Sequence, residues 1–228
     1  MKKVMSVLIT VILCATGSMA NLMTVPAHAN DAYFGGTAAQ SGTQTLGRVG
    51  DGSANSPFVF VIPFQLPALT GGNTISDVKL NIYCESKTSF SSNLIYMDVV
   101  GLRVNALPTL SSTDYDMTLG TVVGNNVQLI NKNVTTPFSA SYTLSTAFFQ
   151  AIYDGDASAA GKYVFLVLGT DGIDPNAANS YLSFSSADSA TVSNRPSLSI
   201  TSTIPEPATI GLLGFGVLAS ICIRRLRG

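Results

Sequence analysis

The alternation of apolar and polar positions divides the chain into two apolar ends and a middle of short segments. The cleanest period of two spans residues 75–85. Val78, Leu80, Ile82 and Cys84 fall on one side, and Lys79, Asn81, Tyr83 and Glu85 on the other. One dry and one wet side predict a strand of an antiparallel sheet. Residues 57–66 and 163–168 are apolar almost throughout and rich in β-branched and aromatic types, which predicts core strands. Pro63 marks the first of these as bulged or at an edge. Further strands are expected at 45–49, 94–104, 181–185 and 196–201, the last with Leu198 and Ile200 facing in. Residues 121–123 and 127–130 flank Gly124-Asn125-Asn126, which reads as a hairpin turn. Residues 30–55, apart from that first short strand, read as an extended lead-in rich in Gly, Ser, Thr and Gln. Phe148, Phe149 and Ile152 are spaced for a helix over 145–153, with Ser145 able to cap it. Many short strands, polar turns and one short helix predict an all-β, antiparallel β-sandwich.

The two ends have a different character. Lys2 and Lys3 precede an apolar run at 4–15, and Ala27-His28-Ala29 offers a small-x-small cleavage site. This is the layout of a secretory leader, an N-terminal signal helix over 1–29 that leaves a mature chain from Asn30. Ser18-Met19-Ala20 is the alternative cleavage site. At the other end, residues 208–223 carry no charge, and Arg224, Arg225 and Arg227 follow at once. Arginines are costly to move through a bilayer core, so the pattern predicts a transmembrane helix with a stop signal. The span is short, about 24 Å as a helix against a hydrocarbon core of about 30 Å. The chain therefore divides into 1–29 as leader, 30–204 as one β-domain and 205–228 as tail.

Pro205, Glu206 and Pro207, the Gly-containing apolar span, and Arg224, Arg225 and Arg227 together resemble the PEP-CTERM sorting signal of Gram-negative bacteria. The resemblance implies recognition by an exosortase, a membrane transpeptidase, with cleavage near Pro-Glu-Pro and loss of the tail. It also implies an exported protein, anchored at the cell envelope and then released to the surface or matrix of an exopolysaccharide-producing cell. On that reading Glu206 is a processing determinant with no catalytic role.

Composition narrows the chemistry of the middle. Residues 30–204 hold seven bases against twelve acids, a balance of −5, with no basic cluster. That argues against nucleic acid as a partner. Cys84 is the sole cysteine there, so no internal disulfide can form, and the sole histidine, His28, lies in the leader. Without histidine the usual nucleophilic triad has no base, and His/Cys zinc sites lack ligands. The domain is accordingly expected to be non-enzymatic and to need no cofactor. A hydrolase built on an aspartate pair is the residual enzyme reading.

Two binding readings stay open. Asp154 with Asp156, or Asp171 with Asp174, could supply oxygen ligands to a structural calcium ion, although solvated turn aspartates account for both pairs. Tyr83, Tyr96, Tyr115 and Tyr181 are candidate platforms for polysaccharide, although tyrosines of a sandwich are commonly half-buried for packing alone.

The middle of the chain also resembles the DNRLRE family of jelly-roll domains, relatives of carbohydrate-binding modules. The likeness rests on residues 45–66, ending Phe64-Gln65-Leu66-Pro67, and on the strand opening at Ile75. It rests too on residues 148–168 followed by Asn194-Arg195-Pro196-Ser197-Leu198-Ser199-Ile200. It implies a jelly roll with a sugar-binding ancestry. The family's usual tryptophan near the short helix is absent, and Phe149 or Tyr153 stands in its place.

Overall fold

The computed structural model describes residues 19–35, 38–40, 45–51, 57–69, 72–88, 95–104, 117, 120–130, 133–155, 161–170 and 180–204. In chain order the strands are β1 (Met19–Pro26), β2 (Ala32–Gly35), β3 (Ala38–Gln40), β4 (Leu46–Asp51), β5 (Pro57–Gln65), β6 (Thr74–Thr88) and β7 (Ile95–Val104). There follow β8 (Thr121–Ile130), β9 (Phe138–Thr143), a helix α1 (Thr146–Gly155), β10 (Tyr163–Thr170), β11 (Ser180–Ser185) and β12 (Ser197–Ile204). Every pairing among them is antiparallel. The order is β1-β12-β6-β11-β4-β5-β10-β7-β8, with β2 joining β3 and β5, and β9 joining the far flank of β6.

The strands form one continuous, curled sheet. Its inner face supplies a single large core, in which Val78, Leu80, Ile82 and Cys84 of β6 share a cluster with Phe60, Ile62 and Phe64 of β5 and Val164, Leu166 and Leu168 of β10. Burying these apolar faces against each other is the main force for closure. The alternation expected along β6 is borne out, since those four residues are buried while Lys79, Asn81, Tyr83 and Glu85 lie outward.

The two continuously apolar runs have a different explanation. Val59 and Val61 of β5, with Phe165 and Val167 of β10, belong to a second cluster on the outer face, together with Ala32, Phe34 and Val100. Both faces of β5 and β10 are therefore dry, and neither strand has a wet side to alternate with. Met117 lies against this outer layer, and a Cβ on Gly169 would meet its sulfur at 2.0 Å. Pro63 is tolerated because the flank of β5 it faces has run past the last pair with β2, Ala32↔Val61. Among the described residues that flank meets Ala27, which bridges Phe64, and His28, whose N–H donates to the Pro63 carbonyl at 2.9 Å.

Helix α1 matches its expected span and buries Phe149 and Ile152 in the main core. The Ile75 N–H donates to Gln150 Oε1 at 2.8 Å, tying the helix to the start of β6. The tyrosine hydroxyl of Tyr153 donates to the Pro67 carbonyl at 3.0 Å.

The expected hairpin at Gly124-Asn125-Asn126 is absent. Residues 121–130 are one strand, β8, paired along β7 with register shifts at Val99. The Gly-Asn-Asn residues form a bulge, with Asn126 at φ +50 and its N–H donating to Asp98 Oδ1 at 2.6 Å. The left-handed residue that a turn would need is present, but β8 stays paired with β7 on both sides of it, so the extra residues bulge the strand and do not reverse the chain. β1, β2, β3 and β9 were not anticipated as strands. Residues 19–29, assigned above to the leader, are built into the sheet as β1 and the bridge at Ala27. Among the described residues no helix is long and apolar enough to cross a membrane. The expected signal helix over the apolar run at 4–15 and the expected transmembrane helix over 208–223 lie outside them.

Candidate functional site

The outer face of β6 carries a hydrogen-bonded polar surface. Asn81 sits at its centre. Its Nδ2 donates to Ser199 Oγ at 2.9 Å and to Ser197 Oγ at 3.4 Å on β12, while Ser141 Oγ of β9 donates to Asn81 Oδ1 at 2.8 Å. The pairs Asn81↔Ser141 and Asn81↔Ser197 place these side chains on one face because strand partners share it. The result is a hydrogen-bonded floor across three strands. Tyr83, two residues along the same face, and Ser139 extend it, and the turn at Ser193, Asn194 and Arg195 forms a wall. Arg195 is held by its Nε–H donating to the Ser189 carbonyl at 2.8 Å. The groove encloses about 270 Å³. Hydroxyls, an amide, a guanidinium and one half-buried aromatic ring can hydrogen-bond and stack on a neutral polyol.

A second cluster forms where β2, β4, β5 and β11 meet. The guanidinium of Arg48 lies 4.7 Å from the Tyr181 ring centre, 5.2 Å from that of Tyr33 and 5.7 Å from that of Phe58. The rings contact one another edge to face, Tyr33 with Phe58 at 5.9 Å and Phe58 with Tyr181 at 5.1 Å. The cluster needs two glycines. Gly50 beside it takes φ +143, and Gly35 leaves room for the Phe58 ring, which a Cβ there would meet at 2.6 Å.

The candidate tyrosines do not converge. Tyr83 lines the groove, and Tyr181 packs on Arg48. Tyr181 pairs with Thr88, five residues along β6 from Tyr83, a separation of about 17 Å. Tyr96 lies on β7, in the opposite half of the sheet order, and Tyr115 lies outside the described residues. Of the calcium candidates, Asp154 is exposed at the end of α1 and accepts from Gln150 Nε2 at 2.7 Å. Asp156, Asp171 and Asp174 lie outside the described residues. Among those residues no group of three or more His, Cys, Asp or Glu side chains could hold a metal ion.

Asp31 and Cys84 are among the buried titratable groups. Asp31 is 3% exposed, and burial pushes its carboxyl up to about 7, against the pull of the Ala187 N–H donating to its Oδ2 at 2.7 Å. Its Oδ1 has no hydrogen-bond partner among the described residues. Cys84 is fully buried in the main core, and burial pushes its thiol up to about 12. It is a packing residue, as unreactive as a small apolar side chain.

Sequence reasoning singled out Tyr83 and Tyr181 but missed Asn81, Ser141, Arg195, Arg48, Tyr33 and Phe58. One signal was present for the groove: Phe138, Ala140 and Tyr142 alternate with Ser139, Ser141 and Thr143, which marks β9 as a strand with a serine-lined outer face. The Arg48 cluster had none, because its four residues come from four separate strands.

Pro205, Glu206, Pro207, Arg224, Arg225 and Arg227 lie outside the described residues. The family model for the PEP-CTERM protein-sorting motif matches residues 203–227. The match begins on the last two residues of β12. The motif supports a protein that is exported, held at the membrane and then cleaved by an exosortase. No curated protein matches the chain.

Proposed function

We propose that the protein is a non-enzymatic structural or adhesive component of the cell envelope or extracellular matrix, delivered through the membrane and processed at its sorting tail. The observation that carries this reading is the sorting motif at 203–227, set directly against the end of β12. Residues 208–223 serve as a transient membrane anchor, stopped by Arg224, Arg225 and Arg227, and an exosortase cuts near Pro205-Glu206-Pro207. The cut leaves β12 whole, so the sheet survives processing. The finer fold assignment is a jelly roll of the DNRLRE type, which the antiparallel curled sheet and the short helix after β9 favour. Intact-mass measurement of the protein recovered from its native envelope and medium tests the reading. A C-terminus near Pro205–Pro207 is expected, with or without added glycan. A mass that retains 208–228 in every fraction refutes exosortase processing.

A second reading is a surface polysaccharide-binding module, favoured by the groove beside Tyr83 with its floor of Asn81, Ser141, Ser197 and Ser199. A glycan array probed with the processed protein and with Tyr83→Ala separates the two. Binding that disappears with Tyr83 supports a module, and no binding by either supports the structural role.

A further inference from the structure

The sequence offers two small-x-small sites for removal of the leader, ending at Ala20 and at Ala29. The fold distinguishes them. Residues 19–26 pair along β12 in unbroken register, from Met19↔Ile204 to Pro26↔Ser197. Their side chains alternate as a strand of this sheet should. Val25 is 8% exposed and belongs to the main core, with Met23 and Ala27 packed beside it, while Leu22 at 64% exposure and Thr24 face outward. The next residues close the flank of β5 beside Pro63. Ala27 bridges Phe64 and donates its N–H to the Pro196 carbonyl at 3.0 Å, and the His28 N–H donates to the Pro63 carbonyl. The His28 ring stands edge-on to Tyr163, with centres 5.7 Å apart.

A cut after Ala29 would discard all of this. β12 would become an open edge with a row of unpaired backbone groups, a template for wrong pairing. The Pro63 and Pro196 carbonyls would lose their donors, and the core would lose Val25. A cut after Ala20 discards only the first two residues of β1 and keeps the register from Asn21↔Ser202 onward. Ser18 and Ala20 also stand close behind the apolar run that ends at Ala15, as a leader requires.

We infer that the leader is cut between Ala20 and Asn21, and that residues 21–29 remain in the mature protein as its edge strand. The inference rests on the export reading above. In the cut, water adds to the Ala20 carbonyl and the Ala20–Asn21 amide breaks. The leader leaves with a carboxylate on Ala20, and Asn21 keeps the new amine. The agent is a membrane leader peptidase that selects small residues at the first and third positions before the cut.

The test is N-terminal sequencing with intact mass on the full chain expressed in its native host. The expected N-terminus is Asn21; an N-terminus at Asn30 or at Met1 overturns the inference. Ala20→Leu is expected to leave the leader attached in the bulk of the protein, and Ala29→Leu to leave the N-terminus unchanged. The reverse pattern overturns the inference independently of folding. The same spectra report the C-terminus separately, so loss of the tail with a wrong N-terminus refutes this inference and leaves the exosortase reading standing.

Discussion

Asp31 provides the most direct physical test of the fold. Its carboxyl is buried between the start of β2 and the turn after β11, accepts one N–H from Ala187, leaves Oδ1 unpartnered among the described residues and feels the nearby negative charge of Asp188. Burial disfavours the charged form, which raises the folded-state value from 3.8 to about 7. Between those values the folded chain holds a proton that the unfolded chain has released, so stability falls as pH rises. The contribution is full below 3.8 and lost above about 7. At about 1.36 kcal/mol per pH unit, the change amounts to at most about 4 kcal/mol. Asp31→Asn removes the charge and retains an oxygen for Ala187. The assay is urea unfolding of the wild type and Asp31→Asn from pH 4 to pH 8, comparing the difference in free energy so that other carboxylates cancel. The variant is expected to gain on the wild type by about 2–4 kcal/mol across that interval, and to be the more stable of the two at pH 8. A difference that stays constant with pH would refute the reasoning, because it would mean that Asp31 titrates alike in the folded and unfolded chains.

Other outcomes follow from the same geometry. Gly50→Ala should cost about 2–4 kcal/mol, because φ +143 is strained for any side chain and the new Cβ would stand 2.3 Å from the Ser180 carbonyl oxygen; chemical denaturation measures it. Arg48→Ala should lose about 1–2 kcal/mol through its contacts with Tyr33, Phe58 and Tyr181, and should alter the near-ultraviolet circular dichroism of those rings. Cys84 should resist a thiol reagent at pH 8 in the native protein and react fully once urea unfolds it; rapid native labelling would contradict its burial.

Some of this was legible in the chain. The wet and dry sides of β6, the helix at Phe149 and Ile152, and the buried runs that became β5 and β10 follow from residue type and spacing, because a side chain's preference for water acts locally. The sorting tail was legible for the same reason: an uncharged span, a Pro-Glu-Pro and terminal arginines work through their own chemistry. Tertiary structure decided what depended on a partner strand. Gly124-Asn125-Asn126 can turn a hairpin or bulge a strand, and Asp98 with the rest of β7 selected the bulge. Residues 21–26 are polar enough for a leader's end and alternate enough for a strand, and only their pairing with β12 shows that the fold uses them as a strand. The groove at Asn81 and the stack on Arg48 were invisible for a related reason. Each is assembled from strands far apart in sequence, and a backbone hydrogen-bond ladder sets their register without regard to the side chains it brings together.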